Sequence, residues 1–233
     1  RAAHGVSHKG GDQFAPVTEA DQASEKAMRA LIERHFPDHG VLGEELGESE
    51  GQSGYQWILD PIDGTRAFIA GLPTWGVLIA LAYEGEPILG VMDQPYLQER
   101  YRGFTANGES AASFTHRGAV RPLKTRPCPA LGEAILCTPD PYLFAGAEAG
   151  AFARARQGAK LTRYGYDCYA YAMVAAGGVD AVIESGLKAF DIAALIPIIT
   201  AAGGGVCGWD GASAAKGGRV LAYGDARVRD AAM

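Results

Sequence analysis

Apolar and polar positions near the start of the chain predict one amphipathic helix. Apolar residues recur at helical spacing between Gln22 and Phe36, and Pro37 ends the pattern. The polar run Thr18-Glu-Ala-Asp21 leads into this helix. The apolar positions that we expect to face a core are Ala23, Ala27, Ala30, Leu31 and Phe36.

Short apolar runs after this helix predict β-strands. One strand ends just before the acidic pair Glu44-Glu45, and a Gly/Ser-rich loop over 47–54 follows. Further strands are predicted over 55–59, where Asp60-Pro61 breaks the run, and over 76–82 and 88–92, which form a hairpin around Gly85. We therefore expect an antiparallel sheet in this half.

The pattern changes to alternating strands and helices in the second half. Residues 96–131 are rich in Gly, Arg, Ser and Thr and give no clear element. Beyond them, strands are predicted over 134–138, 160–164, 181–184 and 220–223, with helices over 145–156, 168–176 and 192–202. Pro197 predicts a kink in the last helix, which ends at Gly203-Gly-Gly-Val206. We expect an N-terminal α+β lobe over 1–126 and a C-terminal α/β lobe over 127–233.

Composition and charge narrow the class of protein. The 233 residues are 48% hydrophobic, which is ample for a core, and the net charge of −6 argues against a nucleic-acid partner. Apolar runs fall short of the ~20 residues that a membrane helix requires. The four cysteines form no CxxC pair, so neither a zinc site nor a disulfide framework is expected. Without an apolar leader after Arg1, a cytoplasmic location is expected.

A cluster of acidic residues indicates a metal site. Asp60, Asp63 and Glu44-Glu45 lie near two predicted strand ends, and Pro61 turns the backbone so that both aspartates point to one side. Crowded carboxylates need protons or cations, and oxygen ligands without His or Cys select Mg²⁺ or a similar ion. Gly64-Thr65 begins a helix-like segment whose free N–H groups suit a phosphate. The alternative is an ordinary surface turn, because Asp-Pro and Asp-Gly are common turn dipeptides.

Asp191 is a second candidate in the C-terminal lobe. It precedes the apolar run Ile192 to Thr200, so its structural role would be an N-cap that accepts a bond from the first turn. Metal binding is the functional alternative.

Three motifs together resemble the inositol monophosphatase superfamily in order and spacing. They are Gly43-Glu-Glu45, Trp57-Ile-Leu-Asp-Pro-Ile-Asp-Gly-Thr65 and Phe190-Asp-Ile-Ala-Ala194 with Gly203-Gly204. The segments Pro16-Val-Thr-Glu-Ala-Asp-Gln22, Asp63-Gly-Thr-Arg-Ala-Phe-Ile69 and Asp167-Cys-Tyr-Ala-Tyr171 look most like its histidinol-phosphatase branch. The resemblance implies a layered αβαβα sandwich, commonly dimeric, with two or three Mg²⁺ ions per site.

The resemblance also implies residue roles. Glu44, Asp60 and the Ile62 carbonyl would hold one Mg²⁺; Asp60, Asp63 and Asp191 would hold a second; and a weaker third would lie near Glu44. The Thr65 hydroxyl, paired with Asp21, would orient or deprotonate the attacking water, while the Gly64 and Thr65 amides would bind phosphate. The structural alternatives are a helix-start cap for Thr65 and a cap of the Gln22 helix for Asp21.

Three residues have open roles. Lys9 would close over the phosphate or be solvated. Histidinol phosphate carries an ammonium group and an imidazole, so Glu184 and Asp167 are candidates to bind it. Their structural alternatives are a solvated loop carboxylate for Glu184 and a cap of the Cys168 helix for Asp167. Ala15 stands where this branch usually has a small polar residue, and the family's N-terminal helix does not precede Lys9 in this sequence.

Three functions follow as hypotheses. The first is a Mg²⁺-dependent phosphatase that converts histidinol phosphate to histidinol and phosphate in histidine biosynthesis, acting as a homodimer on a small metabolite. The second is a phosphatase for inositol 1-phosphate, a sugar phosphate or a 3′-phosphonucleotide. The third is a catalytically inactive, Mg²⁺-responsive binding protein.

Overall fold

A computed structural model gives the fold, and it describes residues 6–8 and 16–233. Lys9 and Ala15 lie outside these residues. The seven helices of the described part are α1 Glu19–His35, α2 Thr65–Ala70, α3 Ala147–Gly158, α4 Asp167–Ala175, α5 Ala189–Ile192, α6 Leu195–Ala201 and α7 Ala226–Ala232. None of the helices in these residues is long and apolar enough to cross a membrane.

Fifteen strands are described. They are β1 Val6–His8, β2 Pro16–Thr18, β3 Gly40–Gly43, β4 Gly47–Ser49, β5 Tyr55–Asp63, β6 Gly76–Tyr83, β7 Glu86–Gln94, β8 Glu99–Ala106, β9 Glu109–His116, β10 Ala119–Pro122, β11 Ile135–Thr138, β12 Leu161–Tyr164, β13 Ala181–Lys188, β14 Gly205–Gly208 and β15 Gly217–Tyr223.

The strands form two large sheets and one small pair. The first sheet has the order β10-β9-β8-β7-β6-β5-β3-β4 and the second the order β12-β11-β13-β15-β14, while β1 pairs with β2. The first sheet is antiparallel as predicted, except that β3 runs parallel to β5. In the second, β12, β11 and β13 are parallel. The two sheets lie on either side of the predicted lobe boundary at 126/127, and that division stays a prediction.

Three apolar cores alternate with the sheets and explain the layers. Ile32 of α1 packs with Val41 and Leu59 on one face of the first sheet. The largest core joins both sheets around α4 and α6. Phe152 of α3 and Val228 of α7 cover the outer face of the second sheet. The order helix, sheet, helix, sheet, helix confirms the predicted αβαβα sandwich.

The buried face of α1 is not the predicted one. Ala23, Ala27, Ala30, Leu31 and Phe36 are all exposed. The buried positions are instead Asp21, Glu25 and Ile32. The apolar periodicity pointed to the wrong side because two of the buried side chains are carboxylates, which are buried only when hydrogen bonds replace their water.

Pro61 and Pro197 lie inside secondary-structure elements and end neither of them. Pro61 lies inside β5, where the pairing with β6 shifts register between Asp60 and Asp63, so its missing N–H falls in a bulge. The single kinked helix predicted over 192–202 is not formed: α5 ends at Ile192, and α6 begins separately at Leu195. The break lies before Pro197, which occupies the first turn of α6, where no N–H is needed.

Candidate active site

The bulge in β5 brings three aspartates together. Asp60 and Asp63 lie on either side of the register shift, and Asp191 lies in α5, which contacts both β5 and β13. One carboxylate oxygen from each of Asp60, Asp63 and Asp191 lies within 4.8 Å of the others. The cluster therefore joins the motif around residue 60 with the motif around residue 191.

Burial and mutual repulsion dominate the electrostatics of this cluster. Burial raises the pKa of Asp60 well above its usual value, and the charges of Glu44, Asp63 and Asp191 and a hydrogen bond with Glu44 add to the shift. The pKa of Asp63 is also raised, first by burial and then by Asp167 and Asp191. A dication relieves such crowding, and this all-oxygen donor set fits Mg²⁺. Glu44 thus lies beside Asp60, as the predicted ligand set requires.

Asp191 occupies a different helix position from the expected N-cap. It lies in the first turn of α5, and its Oδ2 accepts a bond from the backbone N–H of Lys188, the residue before the helix, at 2.6 Å. The carboxylate therefore binds the backbone of the residue just before the helix. Because that residue is also the last one of β13, the bond holds Asp191 at the end of this strand.

Gly64 and Thr65 start α2 directly after the bulge. Gly64 is the left-handed residue before the helix, with φ 82°. The Thr65 hydroxyl donates to the Ile62 carbonyl at 3.1 Å, and the Ile62 N–H donates to Asp60 Oδ1 at 3.0 Å. The first turn of α2 thus follows Asp63 and Gly64 directly along the chain, and phosphate binding by its N–H groups stays a prediction.

Asp21 is buried at the start of α1, as the third residue of the helix and not as its cap. The cap is Thr18, whose backbone N–H and hydroxyl both donate to Asp21 Oδ2. The other carboxylate oxygen, Oδ1, is buried and has no hydrogen-bond partner among the residues that the structure describes. The predicted pairing with Thr65 is not formed here, since the Thr65 hydroxyl donates to Ile62.

Asp167 lies beside Gly64 in a strained conformation. Its φ is 43°, and a Cβ added to Gly64 would stand 2.9 Å from Asp167 Oδ2. The other non-glycine residues with positive φ in the described chain precede or form tight turns between strands, whereas Asp167 begins α4. Burial raises the pKa of Asp167 to about 6, against the opposing charge of Arg66. Such strain collects at functional sites.

Glu184 is buried and is not the solvated loop carboxylate of the structural alternative. It lies within β13, and its Oε2 accepts a bond from the Tyr171 hydroxyl at 2.8 Å. Burial raises the pKa of Glu184 well above its usual value; the Tyr171 bond opposes the shift, and the charges of Asp63, Asp191 and Asp167 add to it. Glu184 and Asp167 are therefore near the aspartate cluster.

Three groups that hold the side chains or loops of the site were not predicted from the sequence. Glu25 binds the loop after Glu44, Tyr171 holds Glu184, and the backbone N–H of Cys168 donates to Asp63 at 2.6 Å. The only available signal for Glu25 was its spacing of four from Asp21, which places both on one helical face. Backbone donors such as that of Cys168 have no sequence signal.

Known proteins match this chain in sequence and in fold. The model of the inositol monophosphatase family matches residues 2–231. The bifunctional phosphatase IMPL2, chloroplastic, from Arabidopsis thaliana is 43% identical over 238 residues, which cover 95% of this chain and 65% of that protein. This chain thus spans about two thirds of the length of that relative.

Two further proteins give matches over most of the chain. A histidinol-phosphatase from Chlorobaculum parvum is 37% identical over 193 residues, covering 81% of this chain and 71% of that protein. The solved structure of an inositol monophosphatase from Zymomonas mobilis superposes with a TM-score of 0.81 at 40% identity, covering 91% of this chain and 80% of the other.

Proposed function

Because this chain belongs to the inositol monophosphatase family, we propose that it is a Mg²⁺-dependent phosphomonoesterase whose substrate is histidinol phosphate. The observation that carries the proposal is the convergence of Asp60, Asp63 and Asp191 beside the start of α2. Such an acidic cluster would bind dications beside N–H groups that suit a phosphate, and this supports the proposal.

The proposed roles of the residues are metal binding and phosphate binding. Asp60, Asp63, Asp191, Glu44 and the Ile62 carbonyl would hold two or three Mg²⁺ ions, which supply charge stabilisation for the phosphate and the leaving oxygen and activation of water. The Gly64 and Thr65 amides orient the phosphate. The Ile62 carbonyl has two lone pairs, so its bond from Thr65 leaves one available.

Asp21 is the candidate acceptor for the proton of the attacking water. Its Oδ1 is buried and accepts no bond from the described part of the chain, which leaves a strong acceptor for a donor that arrives with the substrate. The Thr65 hydroxyl would exchange its bond to Ile62 for one to this water or to Asp21. We expect Asp21 to be required for turnover and not for metal binding.

Two carboxylates outside the aspartate cluster favour histidinol phosphate as the substrate. Glu184 and Asp167 both lie near Asp63, and neither is assigned to metal. An ammonium or imidazolium group would neutralise them, whereas inositol brings only hydroxyls. A relative from Chlorobaculum parvum that is named as a histidinol-phosphatase supports this choice.

Inositol 1-phosphate or a related sugar phosphate or 3′-phosphonucleotide is the second candidate, because the Zymomonas mobilis structure is that of an inositol monophosphatase. A catalytically inactive, Mg²⁺-responsive binding protein is the third candidate and the weakest, since the whole predicted ligand set is present. A homodimer in the cytoplasm remains our expectation.

A substrate panel tests the proposal. Phosphate release is measured with Mg²⁺ on histidinol phosphate, inositol 1-phosphate, fructose 1,6-bisphosphate and 3′-phosphoadenosine 5′-phosphate, with Asp60→Asn as the blank for contaminating phosphatases. We expect the highest kcat/KM on histidinol phosphate. Faster release from inositol 1-phosphate would favour the second candidate, and no release from any substrate would favour the binding protein.

A further inference from the structure

Glu25 of α1 is a fully buried carboxylate for which the proposed chemistry has no use. It lies on the inward face of the helix with Asp21 and Ile32, and its side chain has 0% exposure. We propose that Glu25 is a positioning residue that holds the loop carrying Glu44, and that this sets the affinity of the site for Mg²⁺. The inference rests on the proposed function in taking Glu44 as a metal ligand.

Two hydrogen bonds of Glu25 come from the backbone of the two residues that follow Glu44. Oε2 accepts from the backbone N–H of Glu45 at 2.7 Å, and Oε1 accepts from that of Leu46 at 3.2 Å. On the other side, the N–H of Glu44 donates to the Leu59 carbonyl at 3.2 Å. The backbone around Glu44 is therefore held at two places. β5 binds the N–H of Glu44 itself, and α1 binds the N–H groups of the two residues that follow.

Gly43 shows how closely the carboxylate approaches this loop. A Cβ on Gly43 would stand 2.0 Å from Glu25 Oε1 and 2.3 Å from the carboxyl carbon. Only glycine leaves room for the carboxylate to lie against the backbone here. The glycine of the Gly43-Glu44-Glu45 motif and the glutamate eighteen positions earlier are thus two parts of one contact.

Arg29 completes the arrangement one helical turn after Glu25. Its Nε donates to Glu25 Oε1 at 2.8 Å, its second amino group donates to the Gly47 carbonyl, and its first reaches Ser49 Oγ at 3.3 Å. The arginine neutralises the buried carboxylate and ties it to β4, which follows the loop. Residues 44–49 are therefore held along their length by one helix face.

A purely structural role of Glu25 and a positioning role predict different outcomes when the residue is replaced. Loss of a purely structural bond lowers the free energy of unfolding and leaves the metal affinity of the folded protein unchanged. Loss of a support for a ligand typically weakens metal affinity by about 10–100-fold. Metal affinity of the folded protein therefore separates the two.

Glu25→Gln is the main variant, because Glu45 and Leu46 donate to different carboxylate oxygens and the amide replaces one of these acceptors with an NH₂ donor. Binding is measured without substrate, by titrating Mn²⁺ as a paramagnetic substitute for Mg²⁺ and following free Mn²⁺ by EPR. We expect a dissociation constant about tenfold higher than in the wild type. Glu33→Gln, at an exposed position of the same helix, is the matched control and should bind as the wild type does.

Circular dichroism and thermal unfolding establish that each variant is folded. If Glu25→Gln does not fold, Arg29→Lys answers the same question, because an ammonium cannot bond Glu25, Gly47 and Ser49 in one geometry. A folded variant with wild-type Mn²⁺ affinity would overturn the inference. Failure of the proposed function looks different: the wild-type protein would bind Mn²⁺ and release no phosphate, and the comparison with Glu25→Gln would still hold.

Discussion

Asp63 accepts a 2.6 Å hydrogen bond from the backbone N–H of Cys168, 105 residues further along the chain. The bond joins the end of β5 in the first sheet to the first turn of α4, which packs between the two sheets. A helix N-terminus stabilises a nearby carboxylate, so a distant part of the chain holds Asp63, the proposed metal ligand, in place. Asp63 thus has a structural role beside its proposed role as a metal ligand.

This double role predicts that Asp63→Asn separates stability from metal response. The amide oxygen still accepts from Cys168, and the repulsion with Asp191 and Asp167 disappears. In the absence of metal we expect a melting temperature at least equal to that of the wild type. Added Mg²⁺ should stabilise the wild type by about 2.7 kcal/mol at a hundredfold excess over its dissociation constant, and the variant by less, because the second proposed ion loses a ligand while the first does not use Asp63. Thermal unfolding with and without Mg²⁺ measures both, and an equal Mg²⁺ response would count against Asp63 as a ligand.

Asp60→Asn should abolish turnover, because Asp60 is proposed to bridge two ions and its loss unbalances both. A loss of several kcal/mol of transition-state stabilisation corresponds to about a thousandfold or more in kcat. Phosphate release under saturating Mg²⁺ tests this, with the exposed Asp38→Asn as control. Near-normal activity of Asp60→Asn would refute the bridging role.

Gly64→Ala should be more harmful than Gly71→Ala, although both glycines flank α2 with positive φ. At Gly71 nothing lies within 4 Å of an added Cβ, so that variant measures only the backbone cost of about 1–2 kcal/mol. At Gly64 the Cβ also meets the Asp167 carboxylate at 2.9 Å. We expect a larger loss of unfolding free energy and a lower kcat/KM for Gly64→Ala, and activity within about twofold of wild type for Gly71→Ala. Equal losses of unfolding free energy and of kcat/KM in the two variants would show that the Asp167 side chain can move aside without affecting stability or activity.

The motif around residue 60 could be found from sequence because its signal is local. Asp60-Pro-Ile-Asp-Gly64 contains the turn-forming residues and the carboxylates in one short run, and the hairpin around Gly85 is as local. The sequence could not show that Pro61 lies in a bulge, because a bulge is defined by the pairing with the partner strand. The neighbourhood of Glu184 was not accessible either, because Tyr171 reaches it from another element.

The strands between residues 109 and 122 were missed for another physical reason. β10 lies at the edge of the first sheet with all four residues exposed, and β9 has only Ala112 buried. Strands of this kind lack the alternation of apolar and polar residues that a half-buried strand shows. In α1 the error had the opposite origin, since Asp21 and Glu25 are polar residues on a buried face.

Asp225 predicts a pH-dependent contribution to stability far from the aspartate cluster. Its carboxylate accepts bonds from the backbone N–H groups of Arg227 and Cys128, each at 3.0 Å, and pairs with the Arg227 guanidinium. It therefore caps α7 and ties that helix to the start of the second half of the chain. These bonds, that of the Arg227 side chain first, hold the pKa of Asp225 below its usual value.

A carboxylate whose pKa is lowered by folding stabilises the protein above its unfolded pKa of about 3.9, and the contribution is lost as the pH falls towards the folded value. Asp225→Asn keeps an acceptor for the Arg227 N–H and loses the charge. The difference in unfolding free energy between wild type and Asp225→Asn should thus be present at pH 7 and shrink below pH 4, as measured by urea unfolding. Asp230→Asn, which removes an exposed partner of Arg229 in the same helix, should change stability by no more than about 0.5 kcal/mol at pH 7. A difference for Asp225→Asn that stays constant between pH 7 and pH 3 would mean that the charge has no part in the cap.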